Sequence, residues 1–400
     1  MFTRPVAELD ALMKSPAANP RGPSFRSFYR VTFPLTATPA DLGNPRASPL
    51  GDLRKLSLTQ SARLTIPAPL PSPPDPGTGG HVEPSDGTAN PPGVGAVIAW
   101  NLGCDGRSVQ IADIEANWML HHDELFAPSG SSPNPQLLNN GNPGVPLDPS
   151  ADPSAIPHGT NVLGVLAARQ NDRETQGIAF NAKLWAAPSY DGSAAQNISD
   201  AITWVEKVLD PGDVVLIEEQ PYDGAGQLSP AESDPAVFFA IRQVAENRNI
   251  IFVEVAGNGK HDLGIPGPAD RSAADSGAII VAATDTANFG NRSAQTNWGD
   301  RIDCFSWGDS VATTDSDANG SARRSTRTTF GDTSGAAAIV AGLAALIQDY
   351  RKRALTRSPL DPWEMRRVLR QFGTACAPGQ LIGTQPAFSL DLIAELKRIP

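Results

Sequence analysis

The chain has 400 residues, of which 40% are hydrophobic, and its 32 basic and 43 acidic residues give a net charge of −11. A chain of this length can bury a large core, so we expect one α/β domain with a smaller appendage. The negative charge argues against nucleic acid and anionic membrane surfaces as main partners. No apolar run is long enough for a membrane-spanning helix.

The N-terminal part is set off by a stretch rich in Pro, Gly, Ser and Asp. Residues 1–70 hold two strand-like pieces, 27–33 and 62–66, around a short helical pattern, which predicts a small α+β segment. Residues 71–98 are predicted to be an extended linker, and residues 99–400 the main domain.

The first residues and the cysteines bear on the cellular compartment. Residues 1–14 have neither the basic start nor the apolar stretch of a signal peptide. A cytoplasmic location is therefore favoured, with secretion expected if an export signal has been removed. Cys104, Cys304 and Cys376 have no metal-binding spacing and are interpreted as buried free thiols.

Strand-like and helix-like runs alternate beyond residue 99, as in parallel α/β proteins. Strands are predicted over 109–113, 182–187, 214–217, 250–255, 278–283 and 302–305, and helices over 158–168, 198–208, 235–247, 334–349, 362–371 and 390–397. The pattern predicts an α/β fold with a mostly parallel central sheet flanked by helices.

Ser334 stands at the start of the predicted helix 334–349, which is made almost entirely of small apolar residues. A helix that is apolar on every face is typical of the interior of a large protein. Taken alone, Ser334 could be an ordinary N-cap. A hydroxyl beside free N–H groups at a helix start is also well placed for acyl chemistry.

His158 begins another small-residue helix, with Gly159 directly after it. The chain has only five histidines, and the other four lie in polar or Pro- and Gly-rich stretches. A single His at a helix start is often structural. Its position nevertheless makes it the best candidate for a catalytic imidazole.

A carboxylate follows the first predicted strand, where parallel α/β sheets carry their functional residues. Asp113 ends the run 109–113 and can accept a hydrogen bond from an imidazole. Glu115, two residues further on, is the rival carboxylate, although it lies beyond the predicted strand end and could be a solvent-facing turn residue. Asp113 is preferred.

A fourth element agrees with these three. The buried strand 250–255 leads into Ala256, Gly257 and Asn258, and an Asn amide at that place can donate to a tetrahedral oxyanion. Asp113, His158 and Ser334 follow one another at intervals of 45 and 176 residues. This Asp, His, Ser order is the one found in subtilisin.

On these residues the chain resembles the subtilisin-like serine peptidases from about Gly103 to the C-terminus. The resemblance extends to the segments 113–118, 122–125 and 301–308, which look like a bacterial branch of the family. It implies a three-layer sandwich and a serine endopeptidase acting on proteins or peptides through an acyl-enzyme. Residues 1–70 resemble a prodomain of the family, so this segment is expected to act as an intramolecular inhibitor of the main domain.

Three departures from the family pattern stand near the expected site. Asp332 replaces a usual Gly, and Asp tolerates positive φ better than most residues. Ala338 replaces a usual Pro. Ile114 and Glu115 follow Asp113 where the family often has Ser or Thr and then Gly. None of these departures removes a catalytic group. The pKa of the His158 imidazole is expected at about 6 to 7.5, and the charge of Asp332, if close, would raise it.

Substrate contacts are expected from the residues near the predicted strands 214–217 and 250–255. Glu218 and Glu219 occupy the place of the family's substrate-pairing segment, and Glu254 precedes the Ala-Gly-Asn turn that contains Gly257. An acidic wall there would favour basic substrate side chains. Alternatively, these glutamates face solvent or pair within the protein.

Two functional classes other than an active enzyme are compatible with an α/β chain of this kind. A catalytically impaired or autoinhibited subtilase-fold binding or regulatory protein is the main alternative. A nucleotide-binding protein is disfavoured because the chain has neither a P-loop nor G-x-G-x-x-G after its first strand. No cofactor is expected, and calcium, which is common in the family, has no recognisable site in the sequence.

Overall fold

The computed structural model describes residues 80–83, 91–125, 135–138, 155–170, 175–189, 198–223, 225–264 and 275–400. The predicted prodomain-like segment 1–70 and most of the linker 71–98 lie outside these ranges.

The described α-helices and strands alternate along much of the chain. The helices are α1 (Ala96–Asn101), α2 (Ala155–Ala167), α3 (Ile198–Val205), α4 (Pro235–Arg248), α5 (Asp332–Asp349), α6 (Pro362–Gln371) and α7 (Leu390–Leu396). The strands are β1 (Gln110–Glu115), β2 (Gln136–Leu137), β3 (Lys183–Pro188), β4 (Val214–Ile217), β5 (Ile251–Val255), β6 (Ile279–Thr284), β7 (Cys304–Trp307), β8 (Val311–Thr314), β9 (Thr326–Phe330), β10 (Gly373–Ala375) and β11 (Thr384–Pro386).

Nine of these strands form one sheet in the order β10-β11-β7-β6-β5-β4-β1-β3-β2. Only the pair β10 and β11 is antiparallel, and the remaining pairs are parallel. Strand β1 lies between β3 and β4 as the third strand from the β2 edge, so it is paired on both sides. Strands β8 and β9 form a separate antiparallel hairpin.

The two faces of the sheet carry two hydrophobic clusters because side chains alternate along each strand. Residues such as Ile111, Leu216 and Val253 belong to the cluster that includes α2 and α5. Their neighbours, such as Ala112 and Ile217, belong to the cluster that includes α3 and α4. The helices therefore cover both faces, and the predicted mostly parallel three-layer α/β fold is confirmed.

Helix α5 runs through the interior, against β4–β7 and α2. Every residue from Thr333 to Asp349 is buried. Small side chains allow this close packing: a Cβ added to Gly342 would come within 2.8 Å of Ile178 Cβ. The small residues of α5 thus allow the helix to lie in the core, with its first turn at the carboxyl ends of the strands.

The element boundaries agree with the sequence prediction at most places, and three differences bear on the site. The first strand, predicted over 109–113, extends to Glu115. Helix α2 begins at Ala155, so His158 lies in its first turn rather than at its start. The hairpin β8–β9 was not predicted; its Thr314 hydroxyl donates to Thr160 O in α2 at 2.7 Å and fixes that helix.

Replacing Gly342 by Ala should lower the free energy of unfolding by about 1 to 3 kcal/mol, because the added methyl group overpacks the contact with Ile178. Gly335→Ala in the same helix is the matched control, since its Cβ would meet only ordinary contacts at 3.5 Å or more. Helix propensity should make that change neutral or stabilising by up to about 1 kcal/mol. Urea unfolding measures both; equal stabilities would contradict tight packing at Gly342.

Candidate active site

Ser334 lies in the first turn of α5, directly after the turn that leaves β9. Gly331 precedes the helix in an extended conformation and provides no side-chain cap. Asp332 has a φ of 52°, the left-handed region, and its N–H donates to Gly308 O at 2.7 Å. The hydroxyl of Ser334 is only slightly accessible, with 4% of the residue exposed.

His158 faces Ser334 across a hydrogen bond of 2.9 Å between Nε2 and Oγ. Its other ring nitrogen, Nδ1, lies 2.5 Å from Oε2 of Glu115. A carboxylate can only accept, so Nδ1 carries the hydrogen and Nε2 of the neutral ring accepts from the serine hydroxyl. The ring also packs edge-on against Phe330, with centroids 5.7 Å apart.

The carboxylate that contacts His158 is therefore Glu115, and the predicted contact between Asp113 and His158 is wrong. Strand β1 continues for two residues beyond Asp113, so Glu115 stands at its end. Both carboxylates emerge on the α2 and α5 face because they are two residues apart. The run of β-branched and apolar residues through Ile114 was the sequence signal for the longer strand.

Asp113 lies deeper in the same face and has a different partner. Its Oδ2 accepts a hydrogen bond from Trp118 Nε1 at 2.7 Å, and its Oδ1 is buried without a partner. Burial raises the pKa of Asp113 well above its usual value, and the charge of Glu115 raises it further, against the effect of the Trp118 bond. The ionised form of Asp113 is thus disfavoured by its surroundings.

Gly159 allows the imidazole of His158 to approach the carboxylate of Glu115. A Cβ at Gly159 would lie 2.2 Å from Asn117 O and 2.9 Å from Glu115 Cγ. The segment after β1 is also tied to α2, since Met119 N donates to Thr160 Oγ1 at 2.9 Å. The glycine after His158 is therefore required by the close approach of α2 to the end of β1.

Asn258 approaches the start of α5 through Thr333. Its Oδ1 accepts from Thr333 N at 3.3 Å and from Thr333 Oγ1 at 3.0 Å. Its own N–H donates to Gln220 Oε1 at 2.7 Å. With Oδ1 held in this way, Nδ2 is the atom of the amide that can donate to a group beside Ser334.

The residues predicted to contact substrate do not share one surface. Glu218 is buried beside Ser334, whereas Glu219 is partly exposed and its Oε1 accepts from the Ser189 hydroxyl. Gly257 has a φ of 91° in the turn after β5 and is buried. Placing Glu254 in this set was wrong: it is fully buried, and its Oε2 accepts from Glu232 N at 3.0 Å.

Strand alternation explains the position of Glu254. In β5 Val253 and Val255 face the α5 side, so Glu254 points to the opposite side, with Phe252. There it belongs to a buried ionic cluster in which Arg301 pairs with Glu232 and Asp303. Burial and then the charge of Glu232 raise the pKa of Glu254 to about 8.

The electrostatic balance at His158 favours its charged form. Burial alone would lower the pKa of His158, but the charge and hydrogen bond of Glu115, with the charges of Glu218 and Asp113, raise it from 6.5 to about 10. Asp332 is exposed, and partial desolvation raises its pKa while the charge of His158 lowers it. The site is thus one imidazole among several carboxyl groups.

Neither a metal centre nor a disulfide takes part in this arrangement within the described ranges. Among those residues no group of three or more His, Cys, Asp or Glu side chains could hold a metal ion. Cys104 and Cys304 are buried free thiols, as predicted, whereas Cys376 is partly exposed. No helix of the described part is long and apolar enough to cross a membrane. Calcium binding stays a prediction.

Comparison with known proteins identifies the family. A sequence model of the subtilase family matches residues 106–375, which include Glu115, His158, Asn258 and Ser334. The chain belongs to the subtilase family. The family resemblance expected from the sequence is thereby confirmed.

Individual relatives are distant and longer than the matched region. An extracellular protease of Xanthomonas campestris pv. campestris is 27% identical over 233 residues, covering 56% of this chain and 37% of that protein. An alkaline protease of Alkalihalobacillus alcalophilus is 28% identical over 258 residues, covering 64% and 58%. The chain thus spans about two fifths to three fifths of the length of these relatives.

Solved structures agree in fold. A cold adapted subtilisin-like serine proteinase has a TM-score of 0.50 at 21% identity and covers 72% of this chain and 90% of its own. A mutant of the protease domain of PatA has a TM-score of 0.54 at 18% identity and covers 73% and 96%.

Together, the family and the protease names of the relatives support a serine peptidase. None of these findings supports the cytoplasmic location favoured by the sequence, since one relative is named an extracellular protease.

Replacing Glu115 by Gln should lower the pKa of His158, because the carboxylate that favours the imidazolium is removed. Asp113→Asn should lower it less, since Asp113 bonds Trp118 and acts on His158 only through its charge, whereas Glu115 acts through both charge and a hydrogen bond. Titration of the His158 ring by NMR, assigned through its loss in His158→Ala, measures both shifts. An equal or larger shift in Asp113→Asn would contradict the assignment of the charge to Glu115.

The same pair also predicts how stability depends on pH. Because the folded pKa of His158 is raised, the pair stabilises the fold fully below about pH 6.5 and loses this effect as the pH rises through about 10. Glu115→Gln should therefore destabilise the protein more at about pH 6 than at about pH 10.5. Urea unfolding at the two pH values tests the sign.

Proposed function

We propose that this subtilase is a serine endopeptidase whose reacting groups are Ser334, His158 and Glu115. The observation that carries the proposal is the continuous hydrogen-bonded line from Glu115 Oε2 through His158 to Ser334 Oγ, with distances of 2.5 and 2.9 Å. A nucleophile, a base within hydrogen-bond reach and a third group that orients the base are the arrangement that acyl transfer requires.

The proposed reaction begins with proton transfer from Ser334 Oγ to His158 Nε2. Oγ then forms a bond to the scissile carbonyl carbon, and His158 gives the proton to the leaving amine as the C–N bond breaks. Water repeats the sequence on the acyl-enzyme: it loses a proton to His158, attacks the same carbon, and Oγ leaves with the proton. Glu115 accepts the Nδ1 hydrogen and stabilises the imidazolium at each transfer.

Two donors would hold the oxyanion of the tetrahedral intermediate. Nδ2 of Asn258 is oriented by the bonds that Oδ1 accepts from Thr333. The N–H groups of Asp332 and Thr333 already donate to Gly308 O and Asn258 Oδ1, which leaves the N–H of Ser334 as the second donor. Preorganised donors of this kind contribute on the order of 10²- to 10³-fold in kcat each.

A specific observation keeps the alternative of a catalytically impaired binding or regulatory protein in view. The pKa of His158 is raised to about 10, and a protonated imidazole cannot accept the serine proton. An active enzyme must therefore gain rate as the pH rises, with a midpoint above the ordinary range of His. An impaired one would leave Ser334 unreactive at every pH.

Ser334→Ala should fold normally yet lose peptidase activity on the order of 10⁶-fold, as the same replacement does in subtilisin. A fluorophosphonate probe should label wild-type Ser334 and leave Ser334→Ala unlabelled. More than a few per cent of wild-type turnover in the variant would reject the nucleophile. An unlabelled, inactive wild-type protein would favour the binding alternative.

Two further variants serve as an internal comparison in the same assay. Glu115→Gln should lower kcat by up to about 10⁴-fold, as loss of the orienting carboxylate does in other triads. Asp113→Asn should lower it much less, because Asp113 bonds Trp118 rather than the imidazole. The reverse order of losses would return the orienting role to Asp113.

We propose that Glu219 gives the site a preference for basic substrate side chains. Of the three glutamates expected there it is the one that is partly exposed. A charge-assisted hydrogen bond would favour Arg or Lys beside the scissile bond about tenfold or more. Cleavage profiling of a denatured proteome should show this preference and its loss in Glu219→Gln. A profile dominated by large apolar residues in both proteins would contradict it.

A further inference from the structure

Glu218 stands at the active site without a role in the reaction described so far. It follows β4, and its N–H donates to Ile114 O at 3.1 Å, so the ladder with β1 continues to this residue. Val214 and Leu216 face the α5 side of the sheet. By strand alternation Glu218 points to the same side, where Ser334 lies.

The carboxyl group of Glu218 is enclosed there. The residue is 4% exposed, and both of its carboxyl oxygens are buried without a hydrogen bond of normal geometry. Around it are the Ser334 hydroxyl from α5, His158 from α2, and Asp113 and Glu115 from β1. A buried ionised carboxylate without hydrogen bonds is strongly disfavoured, whereas a protonated one needs only one acceptor for its O–H.

The surroundings act on its proton in a defined direction. Burial raises the pKa of Glu218 well above its usual value; the charge of His158 lowers it, the charges of Asp113 and Glu115 raise it, and the nearby Ser334 hydroxyl lowers it. Of the three carboxyl groups, Glu115 is the one in direct hydrogen-bond contact with the imidazole.

We infer that Glu218 is a positioning residue that works as a protonated carboxyl, whose O–H donates to Ser334 Oγ and thereby directs the serine proton at His158 Nε2. The inference rests on the proposed peptidase function. Ser334 Oγ can accept this bond and still donate to Nε2, because a hydroxyl has one hydrogen and two lone pairs.

The ionised form of Glu218 would oppose the reaction in two ways. As an acceptor it would compete with Nε2 for the serine proton. As a negative charge near His158 it would hold the imidazole in its protonated form. His158 and Glu218 therefore act as a coupled pair, and the reactive state is the one in which His158 is neutral and Glu218 keeps its proton.

This coupling predicts the shape of the pH profile. For the wild-type protein, kcat/KM should rise as His158 loses its proton and fall again when Glu218 does. Glu218→Gln keeps a donor for Ser334 Oγ but cannot ionise. Its profile should keep the rise that follows deprotonation of His158, because neither Gln nor a protonated Glu carries a charge at that step, and should then stay level on the alkaline side.

A second variant separates hydrogen-bond donation from charge. Glu218→Met has a similar volume but neither donates nor ionises. Its alkaline limb should also be lost, while kcat at the plateau should be lower than in Glu218→Gln by roughly tenfold, the effect of one hydrogen bond.

The matched control is Glu254→Gln, which removes another buried glutamate with a raised pKa, but on the opposite face of the sheet. Its profile should keep the alkaline limb. NMR titration of the His158 ring in a Ser334→Ala background adds a readout that needs no activity: the ring signal should show a second, alkaline inflection when Glu218 ionises, which Glu218→Gln should remove and Glu254→Gln should keep.

The outcomes separate failure of the inference from failure of the proposed function. A wild-type protein without turnover or fluorophosphonate labelling rejects the peptidase, while the NMR titration still decides whether Glu218 and His158 are coupled. An active enzyme whose alkaline limb and second His158 inflection persist in Glu218→Gln overturns the inference. So does a Glu218→Gln variant that is folded by circular dichroism but inactive at every pH, because the ionised carboxylate would then be required.

Discussion

The burial of α5 is the constraint on which the rest of the structure depends. A helix enclosed on all sides must consist of small residues, because sheet and helix neighbours leave no room for larger side chains, as the contact between Gly342 and Ile178 illustrates. Once α5 is fixed in the core, its first turn can lie only at the carboxyl ends of the central strands. Ser334 therefore meets His158 and the end of β1 through packing, without any need for a flexible loop to bring them together.

The active site contains more acidic groups than basic ones. Asp113, Glu115 and Glu218 are buried around one imidazole, whose side chain is 36% exposed. Like charges this close cannot all ionise. The partners of the three carboxyl groups differ: Glu115 contacts the imidazole, Asp113 accepts from the Trp118 indole N–H, and both oxygens of Glu218 are buried without a hydrogen-bond partner.

The sequence predicted the fold class, the two helices that carry His158 and Ser334, and the turn that carries Asn258. These depend on local patterns, namely small-residue helices and a buried strand ending in Ala-Gly-Asn. The orienting acid was misassigned because it depends on where β1 ends, and strand ends are set by pairing with β3 and β4, which a single sequence does not display. Glu254 was misplaced for a related reason, since alternation along β5 turns it to the other face.

The raised pKa values of Glu254 and His158 make the stability of the protein depend on pH. Glu254 and His158 both hold protons more tightly in the folded than in the unfolded chain, with folded pKa values of about 8 and about 10. The native state therefore binds more protons than the unfolded chain, and the free energy of unfolding decreases as the pH rises from neutral to alkaline. The neutral imidazole that peptide hydrolysis would need becomes common over the same interval. The proposed peptidase activity and conformational stability would therefore change in opposite directions with pH, so the working pH would be a compromise between them.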